Sequence, residues 1–398
     1  ADIDQMRKKL VRGEDFLREV LDFRRIHFGV RPMGTADATI HFSTQTQPIY
    51  HKNFDRVSES FHKYLDEGYT LYILSCGNTT IKGGGNKITI SNAGITVTGE
   101  KTTLNLGEKG YKGTLTIDGK TSGGFVTVSG RATANMYENV TLQNGEFAGN
   151  ACVVVKGLKP VTGPNSAFNM YGGVIENCSR AVIAYSWATF HMFDGEIKKC
   201  KADGDDVISV TDNSKFIMEG GIISGCKANT GGGLYANNSA IEISGGTISG
   251  CEGGRGGGLY ANNSTVTITG GTISRCNVGA GGGLFVTGST LNIEGGTISE
   301  CSTTLDSGKG GGLYAENSTI TISGGTIKGN EAVFSGGGLY ADNSTINITG
   351  GTITEATGGS EYVSSSKRWY SGAGIGAGSN ISGETEINIS GGTITKAT

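Results

Sequence analysis

One interval governs this chain. Cys178, Cys200, Cys226, Cys251, Cys276 and Cys301 follow one another every 22 to 26 residues. Each closes the same phrase: an apolar-x-apolar triplet, a glycine pair or near match, then apolar and polar residues in alternation. Phe168-Asn-Met-Tyr-Gly-Gly-Val-Ile-Glu-Asn-Cys178 and Ile241-Glu-Ile-Ser-Gly-Gly-Thr-Ile-Ser-Gly-Cys251 show the match. Alternation of period two is a strand signature. Self-similarity at a fixed period of about 25 residues is that of a solenoid.

Composition agrees. The chain has 398 residues, enough for two or three ordinary domains, but laps of a solenoid touch only their neighbours. Its 69 glycines recur in register and prolines number 4, so the glycine marks repetition rather than disorder. A net charge of −3 with no basic stripe argues against nucleic acid and against an anionic membrane surface. No apolar run approaches the ~18 residues of a membrane span. The six equivalent cysteines are expected to stack inward as buried free thiols, because in-register neighbours on parallel strands are poorly directed for bridging. Without a CxxC or a histidine-rich cluster, zinc is not expected.

Two segments follow. Residues 1–68 read as an N-terminal helical cap and lead-in, with helices over 1–27 and 52–67, delivering the chain into a first strand from Thr70 to Ser75. Residues 69–398 read as the solenoid. Turn pairs such as Gly245-Gly246 and Gly270-Gly271 precede one strand of each lap. A Gly-Gly-Gly-Leu-aromatic marker starts at Gly231, Gly256, Gly281, Gly310 and Gly336, the last four residues reading Gly-Gly-Leu-Tyr or Gly-Gly-Leu-Phe. Asn213, Asn238, Asn263, Asn317 and Asn343 each precede a serine, at positions where asparagine tolerates a left-handed backbone.

These markers resemble the right-handed parallel β-helix superfamily, pectate-lyase-like in the broad sense. The resemblance covers roughly residues 68–398. It implies an all-β solenoid: a single-stranded right-handed parallel β-helix of three short strands per lap, with an N-terminal α-helical cap. It also implies the company of carbohydrate-active enzymes and bacterial surface repeat proteins. No closing cap is visible, so the natural chain is expected to continue past Thr398.

Departures from the repeat mark candidate sites. Laps between 165 and 220 carry Asn169, Tyr171, His191, Phe193, Glu196, Lys198 and Glu219 outward, where later laps carry Glu242, Ser244, Thr267, Thr269 and Thr272. Asp194 replaces a turn glycine, and Tyr185 and Trp187 lie in the preceding turn. Aromatic faces flanked by acids and amides suit a glycan. Asp203-Gly-Asp205-Asp206 falls where later laps carry the glycine marker; its paired acids resemble the Gly-Asp-Asp motif of polygalacturonases, without that family's other motifs. Glycosidic cleavage needs two carboxyl groups. Calcium at Asp203–Asp206 is a further expectation. The marker edge lengthens at 302–309 and at 355–371, the latter holding Arg368, Trp369 and Tyr370, and insertions in solenoids gather on the binding face.

The functional expectation is a secreted or cell-surface protein acting on an oligo- or polysaccharide. As a glycoside hydrolase it would use Asp205 and Asp206, assisted by Asp194 or His191. As a polysaccharide lyase it would use Lys198 or Arg180 as base. The alternative is a non-catalytic bacterial adhesin or stalk, favoured by near-identical laps. Pairing into a homo-oligomer through the solenoid flank is a further expectation, and threonine columns leave ice binding as a distant third.

Overall fold

In the computed structural model, the described residues are 40–44, 47–51, 70–74, 77–81, 86–90, 94–119, 124–146, 150–159, 163–204, 206–305, 308–358, 372–378 and 384–398. Side chains are described at Ile81 and from residue 94 onward. The expected helices over 1–27 and 52–67 lie outside the described residues. Within the lead-in, Ile40–Thr44 and Gln47–His51 are strands, paired antiparallel with each other, and Ile40–Thr44 also pairs with Thr70–Leu74.

Beyond that hairpin the described strands run parallel in three long sheets of 12 strands each, visited once per lap, and the hairpin extends the first sheet to 14. One lap shows the order. Ile208–Thr211 lies in the first sheet, Lys215–Met218 in the second and Ile222–Ser224 in the third. A fourth ribbon of seven two-residue strands, from Lys201–Ala202 to Thr357–Gly358, joins the third sheet back to the first. Sequence reading expected three strands per lap and did not resolve this ribbon.

Burial alternates as the sequence pattern requires. In Thr265–Ile268 only Val266 and Ile268 are buried. Isoleucine columns such as Ile248, Ile273, Ile298, Ile327 and Ile353 fill the core. The glycine pair is dictated twice over. A Cβ on Gly245 would lie 2.0 Å from the carbonyl oxygen of Glu219 one lap before, and Gly246 has φ +78°. The first glycine thus makes room for a stacked backbone, and the second takes a conformation that L side chains resist.

The corner between first and second sheets is fixed by the Asn-Ser pairs. Asn213, Asn238, Asn263, Asn317 and Asn343 all have positive φ. The serines that follow form a buried ladder: Ser239 N–H donates to Ser264 Oγ at 3.1 Å, and Ser264 N–H to Ser289 Oγ at 3.0 Å. The ladder continues through Ser289 and Ser318, whose amides donate to Ser318 Oγ and Ser344 Oγ, so these buried amides are satisfied as interiors require.

The cysteine column points inward as expected, with one correction. Cys200, Cys226, Cys251, Cys276 and Cys301 are buried free thiols. Cys178 is not free; it is bridged to Cys152, 26 residues earlier. Cys152 is not part of the cysteine column; it leads into the first-sheet strand Val153–Lys156, so the stacking geometry that disfavours bridging does not apply. Where the column leaves cysteine, Asn330 is fully buried. It accepts from Cys301 N–H and donates to the Ile298 carbonyl, both at 2.9 Å.

Candidate functional site

The structure distributes the expected site residues over three corners of the coil. Tyr171 and Phe193 stand at the turn from second to third sheet, with Asp194 beside them. Tyr137, Tyr171 and Phe193 stack ring on ring along the axis, at centroid spacings of 5.3 and 4.6 Å and interplanar angles of 15° and 12°. His191 lies against Phe193 at 3.6 Å, and its Nε2 is 2.9 Å from Glu219 Oε1. The rings therefore spend their faces on one another and show solvent their edges. Tyr171, 39% exposed, offers an edge and not the open face that a sugar ring prefers. Asn169 is a rung of an amide ladder, donating to Asn135, which donates to Asn105.

Tyr185 and Trp187 sit at another corner, from first to second sheet. The Lys156 ammonium lies 5.9 Å from the Tyr185 ring centre. The four-residue strand Thr189–Met192 separates Trp187 from Phe193, so the two aromatics do not meet. On the third sheet Lys198 donates to Glu196. That bond, and the nearby Glu176 carboxylate, raise the Lys198 ammonium above the ordinary lysine range. A lyase base works best with the opposite shift.

Asp206 occupies the third corner, where the ribbon leads into the first sheet. The register of Ser209 with Tyr235 places Asp206 opposite Gly232 of the glycine marker, as the sequence alignment implied. Its carboxylate accepts the Thr230 hydroxyl, and its carbonyl accepts Arg180 Nε at 3.2 Å. Arg180 is buried and held there. His191 lies on the second sheet and Asp194 at the turn beyond it, with the first sheet between them and the corner of Asp206, so the structure does not gather Asp206, Asp194 and His191 into one set. Asp203 pairs with Lys201 at 3.3 Å. Among the described residues no three His, Cys, Asp or Glu side chains come together to hold a metal ion. Asp205, Arg368, Trp369 and Tyr370 lie outside the described residues.

Two features escaped sequence reading. The first is a second aromatic ladder on the outward face of the first sheet: Tyr235, Tyr260, Phe285, Tyr314 and Tyr340. Successive centroids are 5.4, 5.3, 4.6 and 5.3 Å apart. Arg255 covers Phe285, and Lys309 covers Tyr340 and donates to its hydroxyl at 3.0 Å. Phe285 and Tyr340 are 3% and 1% exposed, so this outward face is packed over. The signal was the aromatic closing each glycine marker. The later laps are thus not plain polar on every face.

The second feature is a groove of about 390 Å³ along the ribbon. One wall is the outward column Lys227, Glu252 and Asn277, one residue per lap. The floor is backbone at Gly253, Gly254 and Gly279. Side chains cannot fill it: a Cβ on Gly253 would lie 2.1 Å from the Thr230 oxygen, and one on Gly254 would lie 2.2 Å from the Asn229 oxygen. Asn229 and Leu305 bound the two ends, and Leu305, in the 302–309 insertion, is 57% exposed. Lys227 Nζ and Glu252 Oε2 are 2.7 Å apart, and that hydrogen bond raises the lysine above its ordinary range. The groove lies on the edge where the insertions gather and one residue from Thr230, the partner of Asp206.

Comparison with known proteins gives one match, to the family described as right handed beta helix region, over residues 191–353. No curated protein and no solved structure gives a significant match to the chain. The matched segment holds the glycine markers, the thiol column and the groove. The described strands beyond the hairpin thus coil lap upon lap as a parallel β-solenoid, of which residues 191–353 match the right-handed β-helix family.

Proposed function

We propose that this β-helix is a secreted or cell-surface recognition module that binds an extended saccharide along its ribbon groove. The observation that carries the reading is the groove itself. Successive laps present an ammonium, a carboxylate and an amide in line beside a floor with no side chains. The lap rise of about 4.8 Å is close to the length of one pyranose unit, so consecutive rungs meet consecutive sugars in register. Its volume suits a short oligosaccharide, since ligand sites run from about 300 to 1,000 Å³.

Hydrolysis is the weaker reading. It rests on Asp206, whose carboxylate is engaged by Thr230, and on groups that stand at other corners of the coil. The test is a panel of plant, microbial and host glycans, scored for both binding and products. Binding without cleavage that weakens in Lys227→Met and Glu252→Gln supports the proposal. Cleavage lost in Asp206→Asn would replace it with the hydrolase. Binding indifferent to the groove variants would overturn it.

A further inference from the structure

We propose that copies of this chain associate side by side, the corner that opens the second sheet in one copy docking on the corner that closes it in the next. This goes beyond the saccharide reading and uses another part of the coil. The strands concerned are Thr102–Leu106, Thr133–Met136, Ala167–Met170 and Thr189–Met192, which stack in register. By that register Lys101, Arg131 and Trp187 share the position that leads into them. Glu108, Glu138 and Asp194 share the position just beyond their far ends. The coil thus gathers cations and an indole at one corner and carboxylates at the other. Glu100 and Lys109 sit beside Lys101 and Glu108, so the contrast of charge is clearest one lap on, at Arg131 and Glu138. Glu138 Oε1 accepts from Gly110 N–H at 2.6 Å, which fixes where that carboxylate points.

Apolar groups match in the following laps. Leu158, in the loop before Ala167–Met170, is 46% exposed, and Tyr171, beyond the far end of that strand, is 39% exposed. Asn165 holds the base of the loop: its Oδ1 accepts from Leu158 N–H at 2.8 Å, and its Nδ2 donates to the Leu158 carbonyl at 2.5 Å. Trp187 keeps φ +64° at a corner where later laps use Asn213, Asn238 and Asn263. A bulky residue held in the left-handed region is a reason to look for a function. Among the described residues no ring and no cation lies on its indole.

Symmetry decides what meets what. Copies related by rotation about an axis parallel to the coil keep their laps at one height, so the opening corner of each lap faces the closing corner of the same lap next door. Arg131 then faces Glu138, Leu158 faces Tyr171, and Trp187 faces Phe193. The Tyr171 and Phe193 rings show their edges, and an indole face accepts ring edges. Such a contact joins two different patches, and it closes into a ring where the rotation allows. One lap further, Asp212 and Glu219 are both exposed and bring like charges together, which ends the contact there. Both complementary corners belong to one chain at matching heights, and this favours a second copy over a foreign acidic partner.

The experiment is sedimentation velocity of the full chain over a dilution series, with thermal unfolding of each variant. The unaltered chain is expected to form an oligomer of defined mass. Arg131→Glu and Glu138→Arg are each expected to weaken association about tenfold or more, and the double variant to restore it. Trp187→Asn is expected to weaken association about thirtyfold or more. Its thermal midpoint should hold or rise, because asparagine tolerates the left-handed corner, so lost association cannot be blamed on misfolding. A monomer at every concentration, or an oligomer that all these variants leave unchanged, would overturn the proposal. Failure of the double variant to recover what each single one loses would overturn it as well. A monomer whose Trp187 corner binds poly-glutamate would replace the second copy with an acidic partner.

Discussion

Lys227 and Glu252 sit one lap apart on the ribbon, joined at 2.7 Å, with side chains 60% and 56% exposed. Such a pair contributes little to folding, because water screens it and ordering the side chains opposes it. It is well placed to meet a ligand. Lys227→Met is therefore expected to leave the thermal midpoint unchanged and to weaken saccharide binding severalfold in titration. The bond to Glu252 raises the lysine, so the pair is intact below the ordinary lysine value of about 10.4 and is lost as pH rises through the raised one. Ligand affinity should hold from neutrality to about pH 10 and then fall.

The groove floor makes a sharper demand. Gly254 faces the Asn229 oxygen at 2.2 Å from a would-be Cβ, whereas Gly250 has open space around it and φ +59°. Gly250→Ala should cost about 1 kcal/mol, the strain of a left-handed alanine. Gly254→Ala must push two laps apart and should cost about 3 kcal/mol or more, at the severe end for a point change. Urea unfolding of the two variants measures the order, and the reverse order would contradict the stacking geometry.

The serine ladder tests what holds the corners. Ser289 Oγ accepts from Ser264 N–H and donates to the Thr287 carbonyl at 2.8 Å. Ser289→Ala leaves a buried amide without its acceptor and should cost about 1–3 kcal/mol. Ser244→Ala, at an exposed turn position, should be nearly neutral in the same measurement.

Much of this was legible in the repeat. The 25-residue phrase announced parallel stacked strands, and the Asn-Ser and glycine pairs announced the corners, because each marks a backbone conformation that few residues adopt. The aromatics of the Gly-Gly-Gly-Leu marker were visible as a column, but their mutual covering was not, since stacking depends on the register of laps. The groove was invisible for a related reason. It is made by missing side chains at Gly253, Gly254 and Gly279, and a glycine in a glycine-rich chain carries no distinguishing signal. Asp206 drew attention because it broke the repeat, yet its hydroxyl partner Thr230 belongs to the next lap. The bridge from Cys152 to Cys178 crosses between columns and was missed likewise.

The thiol column should be chemically silent. All five thiols are buried, out of reach of a reagent, so Cys200, Cys226, Cys251, Cys276 and Cys301 are expected to resist alkylation in the folded protein. All five should label once it is denatured, as counted by peptide mass spectrometry. Rapid labelling of any of the five in the native state would contradict the inward stack.

The saccharide groove is the central claim, and a crystal structure with a bound oligosaccharide from the glycan panel tests it most directly. The account expects sugar density over Gly253 and Gly254, with hydroxyls in hydrogen-bond reach of Lys227, Glu252 and Asn277. Density on the Tyr171–Phe193 strip, or beside Asp206 with the groove empty, would contradict it.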